Sequence, residues 1–143
     1  MTGGAASALH LAGIKALQQG QVSEALSLLE RAITADPTSA ALASDLGVAL
    51  TVARRYDDAI ASLRRALELR PGYAEATLNL GNVHRQRGEL DEAVARYREA
   101  IATRPDLPQV HNNLAVTLLH LGRASEAESH SRMAIATKSD FAE

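Results

Sequence analysis

The sequence predicts an all-α fold, a solenoid of stacked antiparallel helix pairs. Three observations predict it. Pro37, Pro71 and Pro105 recur at intervals of 34 residues, and most of the chain repeats in register with them. Alanine returns at two fixed places in every unit, Ala25, Ala59, Ala93 and Ala127 at the first and Ala32, Ala66, Ala100 and Ala134 at the second. Within a unit, apolar residues follow helical spacing. A period of roughly 20–50 residues with small residues at constant offsets is the signature of stacked supersecondary units, each too small to bury its apolar face alone.

Set on that interval, the chain divides into four units, Ala6 to Ser39, Ala40 to Tyr73, Ala74 to Leu107 and Pro108 to Phe141. Each is read as two helices. The first helix carries a column of Gly13, Gly47, Gly81 and Ala115, preceded by Ala12, Leu46, Leu80 and Leu114. Small residues there let two backbones approach closely; a larger side chain would overpack the contact at a cost of about 1–3 kcal/mol. Gly20, Gly88 and Gly122 stop the first helix, because glycine accepts the left-handed conformation at that boundary. Unit two has Arg54 in that column and is expected to carry strain there.

The second helix is expected to start at Ser23, Asp57, Asp91 and Ser125, where a short side-chain oxygen can cap backbone N–H groups and acidic charge complements the helix dipole. In unit three, Ala93, Tyr97 and Ala100, with Val94 and Ile101 beside them, follow the i, i+3, i+4, i+7 spacing of an amphipathic helix. The proline closes it, since it lacks an N–H and clashes with the preceding turn.

The order Leu-Gly, then Ala, a large residue, Ala and Pro resembles the tetratricopeptide repeat family over almost the whole chain, best in unit three with Leu80-Gly81, Ala93, Tyr97, Ala100 and Pro105. The resemblance implies a right-handed superhelix whose first helices line a concave groove. The family's Trp slot holds Leu9, Ala43, Thr77 and His111, and its first Tyr slot holds Ala16, Leu50, His84 and Leu118. Contacts between neighbouring helices should therefore be smaller and less aromatic.

Composition bounds the rest. Hydrophobic residues make up 46% of the chain and aromatics 3%, so the core must be built from Ala, Leu, Ile and Val. No apolar run approaches the roughly 18 residues that span a bilayer. No charged segment followed by an apolar one opens the chain, so a secretory signal is not expected and a cytoplasmic setting is. Without cysteine there is no disulfide or thiolate site, which leaves the redox compartment open. Net charge is −2 overall and −1, +1, −1 and 0 in the four units, so none has the basic excess that nucleic acid requires. A protein or peptide partner is expected, with no nucleic acid and no membrane.

The resemblance places the groove residues around the Leu-Gly pair. In units three and four these are Leu78, Asn79 and Asn82, and Asn112, Asn113 and Val116. Asn79 and Asn113 share a slot one repeat apart. An amide offers donor and acceptor together and so matches the backbone of an extended peptide. Specificity would come from Glu75, Arg85, Gln86, Gln109 and His120. Unit two has Asp45 at the amide slot, and unit one has Leu11. Leu11, Ile14, Leu17, Val48 and Val52 make the first half of the groove apolar. The competing reading is that the asparagines are solvated or cap local turns. At about 1 kcal/mol net per hydrogen bond, four asparagines supply roughly 4 kcal/mol, a dissociation constant near ~1 mM, so useful affinity needs further contacts.

Similar asparagine ladders occur in the repeat region of O-linked N-acetylglucosamine transferases, where the array presents substrates to a separate catalytic domain. Members that grip a terminal carboxylate use lysine and arginine in the groove, whereas Lys15 and Lys138 of this chain fall outside those slots. The ending Ser139-Asp140-Phe141-Ala142-Glu143 parallels Pro71-Gly72-Tyr73-Ala74-Glu75, as though a fifth repeat began there. Unit four also has Ser131 in the large-residue slot and lacks the closing proline, so it is expected to fray or to stack on a second molecule, a self-association through the exposed C-terminal repeat.

Catalysis is not expected. His10, His84, His111, His120 and His130 include no i, i+4 pair that would place two metal ligands on one helical face. Asp57, Asp58, Asp91 and Glu92 are explained by helix starts. No cofactor and no metal is expected. Two classes of function remain, an adaptor that binds an extended peptide and a substrate-recruiting segment of a larger transferase, with a purely structural assembling array behind them.

Overall fold

The computed structural model describes residues 2–122 and 131–135. Every regular element among them is an α-helix. In chain order these are α1 (Thr2–Gln18), α2 (Val22–Ala35), α3 (Ala40–Val52), α4 (Tyr56–Leu69), α5 (Ala74–Gln86), α6 (Leu90–Thr103) and α7 (Pro108–His120), and residues 131–135 are helical as well. The chain forms two compact units, Met1–Pro71 and Gly72–Glu143.

In the first unit, α1 packs on α2, α3 on α4, and α2 on α3, while the first helices α1 and α3 also touch. Leu29, Ala32, Leu42 and Ala49 form a core flanked by Leu9, Leu17, Leu26, Ile33 and Leu46. The second unit repeats the plan, with α5 on α6, α6 on α7, and α5 beside α7. Its core joins Ala93, Val94, Tyr97 and Ala100 of α6 to Leu78 of α5 and to Val110, Leu114 and Leu118 of α7.

The small-residue columns are packing devices. Ala25, Ala32, Ala59, Ala66, Ala93 and Ala100 are all completely buried; Ala127 lies outside the described residues. Each glycine of the first helix faces the large residue sixteen positions later. A Cβ at Gly13 would fall 2.8 Å from Leu29 Cγ, and one at Gly47 would fall 2.6 Å from Leu63 Cγ. Unit four has Ala115 and Ser131 at these two places, a methyl gained on one helix and bulk lost on the other.

The turns inside the first three helix pairs share one geometry. Gly20, Arg54 and Gly88 have φ of 77°, 62° and 80°, and the next residue donates its N–H back five positions: Gln21 to Ala16 O, Arg55 to Leu50 O and Glu89 to His84 O, each at 2.9 Å. This 6→1 bond satisfies a carbonyl that the helix end would leave orphaned. The same residue is then the N-cap of the following helix.

That double duty corrects the expected caps. The N-caps are Gln21, Arg55 and Glu89, with ψ near 71° and no side-chain cap hydrogen bond. Ser23, Asp57 and Asp91 lie two residues further on, inside the first turn, where acidic charge still complements the dipole. Ser125 lies outside the described residues. The second helices end as expected: Asp36, Arg70 and Arg104, each before a proline, are held at φ near −140° and return their N–H to Ala32, Ala66 and Ala100.

Candidate functional site

The site is built on α5 and α7, the two first helices of the second unit. Gly81 is its foundation. A Cβ there would lie 2.5 Å from Tyr97 Cε1, so glycine alone lets the ring of α6 lie against α5. The buried ring carries its hydroxyl toward the α5–α7 surface, where it donates to Asn82 Oδ1 at 2.6 Å. Asn113 Nδ2 of α7 donates to that same oxygen at 3.0 Å. Three helices therefore meet at one amide oxygen.

Electrostatics follow from this placement. Burial pushes the Tyr97 hydroxyl up to about 12 from its ordinary value of 10, while the Arg85 charge and the Thr117 hydroxyl act in the opposite direction. Thr117, itself fully buried, donates to Asn113 O at 2.7 Å and steadies that turn of α7. Arg85 lies one turn beyond Asn82 on the same face of α5. Its Nε is buried with no hydrogen-bond partner among the described residues.

The remaining candidates are dispersed. Asn79 is half-buried on α5 and engaged in a polar interaction, and Asn112 is half-buried on α7. Glu75 is ion-paired with Arg104, which also holds Asp106. Gln86, Gln109 and His120 are exposed. Gln109 and His120 stand at opposite ends of α7, about 16 Å apart along its axis. The structure thus joins Asn82 and Asn113 directly, with Arg85 beside them, and leaves Gln109 and His120 apart.

Asp45 belongs to the first unit and has its own partner, His10 Nε2 on α1 at 2.6 Å. Asp45 and Asn113 share a repeat slot, and both reach back to the preceding first helix. In these two repeats the slot ties one first helix to the next. Tyr97 and Thr117 are the participants that sequence reasoning did not assign to the candidate site. A buried tyrosine needs a partner for its hydroxyl, and that requirement was the one available signal.

His111, in the slot of a large aromatic, is fully buried and bonds the Pro105 carbonyl at 2.9 Å, a structural role. Among the described residues no group of three or more His, Asp or Glu side chains is placed to hold a metal ion. No helix among them is long and apolar enough to cross a membrane.

A family model for the tetratricopeptide repeat matches residues 10–74, 45–108 and 78–140. The chain belongs to the tetratricopeptide repeat family. Solved structures of tetratricopeptide repeat proteins share its fold. The crystal structure of MamA is 26% identical and aligns with a TM-score of 0.79 over 96% of this chain and 80% of that one. PilF of Pseudomonas aeruginosa gives a TM-score of 0.84 at 24% identity over 95% of this chain and 62% of PilF. The first repeat domain of Spaghetti (RPAP3), solved with the HSP90 peptide SRMEEVD, gives 0.74 at 23% identity over 82% of this chain and 94% of that one. At those identities the last two likenesses concern the fold alone. No curated protein matches by sequence.

Proposed function

We propose that the chain is a protein–protein interaction module that binds an extended peptide segment along its first helices, with α5 and α7 as the principal contact in the second unit. The observation that carries this reading is the set of half-buried amides, Asn79, Asn82, Asn112 and Asn113, on two first helices packed side by side. Amides partly withdrawn from water but not enclosed can exchange water for the N–H and C=O groups of another chain. The RPAP3 domain, of the same fold, was solved with a peptide, which agrees with this use.

Peptide-array binding of the wild type against an Asn79→Ala/Asn113→Ala double variant tests it. The variant should lose most of the signal, and equal retention by both proteins would remove the amides from recognition. That the same recognition recruits substrates for a larger transferase rests on the recurrence of Asn79 and Asn113 alone. It predicts that bound segments span catalytic acceptor residues.

A second reading, self-association through the last repeat, is favoured by Val116, Leu119, Met133 and Ile135, which expose 41–66% of their surface within one unit. Ser139 to Glu143 lie outside the described residues. Sedimentation over a concentration series should show a rising weight-average mass, and a constant monomer mass would dispose of this reading.

A further inference from the structure

Within each unit a second helix receives the next first helix, α2 taking α3 and α6 taking α7. Leu42 of α3 and Val110 of α7 are buried there, and Ile33 of α2 and Ile101 of α6 pack against the cores that hold them. Both halves of this joint recur elsewhere, open to water. Ala8 of α1 stands in the slot of Leu42 and Val110 and is exposed. Ile135 stands in the slot of Ile33 and Ile101 and exposes 66% of its surface.

The slot of Asn113 carries the comparison furthest. Asn113 donates to Asn82 of the preceding first helix, and Asp45 pairs with His10 of the one before it. In α1 the same slot holds Leu11, 70% exposed. In α7 the slot of Asn82 holds Val116, 41% exposed, with Leu119 beside it, 56% exposed. Leu11 set against Val116 would repeat the Asn113–Asn82 relation with aliphatic partners, which gain by excluding water where the amides gain by sharing a hydrogen bond.

We propose that a second copy of this chain docks head to tail, with its α1 laid on α7 and residues 131–135, and its Leu11 against Val116 and Leu119. The proposal rests on the self-association reading above and narrows it. Two different surfaces meet, so each copy keeps one of them open to a further copy. An isologous dimer through α7 would cover Val116 and Leu119 and leave Leu11 in water. Lys15 limits the strength of the head-to-tail joint. It stands in the slot of Ala49, Val83 and Thr117, all completely buried, so its stem must lie along the joint with the ammonium at the rim. The contact is therefore weaker than the joints inside the units, and its population follows concentration.

The test is sedimentation equilibrium of the full chain and of two variants, Leu11→Glu on the α1 surface and Leu119→Glu on the α7 surface, alone and mixed. The wild-type weight-average mass should rise with concentration. Each variant alone should hold the monomer mass, because every joint would then meet a blocked surface. An equimolar mixture should approach twice that mass and stop, since the intact α7 surface of Leu11→Glu receives the intact α1 surface of Leu119→Glu. Ala8→Glu and Ile135→Glu repeat the exchange at other exposed positions, so a folding defect in one variant cannot decide the matter. Association of Leu11→Glu and Ala8→Glu equal to that of the wild type, or variants of both pairs that stay monomeric when mixed, would overturn the head-to-tail contact and leave self-association standing. A wild type that stays monomeric throughout would overturn both and leave the α7 surface to a different protein.

Discussion

Gly81 and Tyr97 interlock: the ring of Tyr97 occupies the space that a side chain at residue 81 would need, with Cε1 2.5 Å from the position of a Cβ. The same contact places the tyrosine hydroxyl on Asn82. One small residue thus sets both the spacing of α5 and α6 and the polar junction above it.

Gly81→Ala should therefore cost more than Gly13→Ala. At residue 13 the obstructing atoms are Leu29 Cγ and Cδ2, part of a flexible side chain, whereas at residue 81 a rigid ring must move. Overpacking of this kind costs about 1–3 kcal/mol, with Gly81→Ala toward the upper end. Chemical denaturation of both variants checks the order, and equal losses would show that the ring yields as readily as leucine.

Arg54→Gly should stabilise the chain. Arg54 has φ of 62° where the equivalent turns use glycine, and a side chain in that region costs roughly 1–2 kcal/mol. Glycine returns part of the gain through greater freedom of the unfolded chain, leaving about 0.5–1 kcal/mol. The melting temperature should rise. An unchanged or lower value would mean that the Arg54 side chain contributes contacts that offset its strain.

Tyr97→Phe should remove the bond to Asn82 at a cost of about 1 kcal/mol near neutral pH. The pH dependence has a definite sign. Burial raises the folded-state value to about 12 from 10, so the folded protein holds this proton more tightly than the unfolded chain. The contribution is complete below pH 10 and is lost as pH rises from 10 toward 12. Wild-type stability should fall relative to Tyr97→Phe across that window, and parallel curves would show that the hydroxyl is hydrated.

Asp45→Ala should have a small effect. Its pair with His10 is short, but the Asp45 side chain is 37% exposed, and pairs of that kind contribute about 0–1 kcal/mol. A loss above ~2 kcal/mol in urea denaturation would show that the staple between α1 and α3 matters more than its exposure indicates.

The helical architecture was legible because each repeat states its packing in residue size: the alanines at 25, 59 and 93 read as scaffold, and all are completely buried. The cap column was misread for a local reason. Ser23, Asp57 and Asp91 have the composition of caps, but the 6→1 turn bond makes Gln21, Arg55 and Glu89 serve both helices at once. Repeat spacing offered the candidate site as a set of slots and left its hydrogen-bond network out of view. Asn82 meets partners 15 and 31 residues away, and neither separation is a repeat length, so no column connects them. That Asn113 would spend a donor on Asn82 depends on side-chain reach across a helix pair, which repeat spacing does not encode.

The most direct test of peptide recognition on α5 and α7 is a residue-by-residue amide NMR titration of the labelled chain with a peptide selected on the array. Shift changes should concentrate at residues 79–86 and 112–120. Changes confined to the outer face of α6 around Glu92, Arg96 and Glu99, or none at saturating peptide, would contradict it.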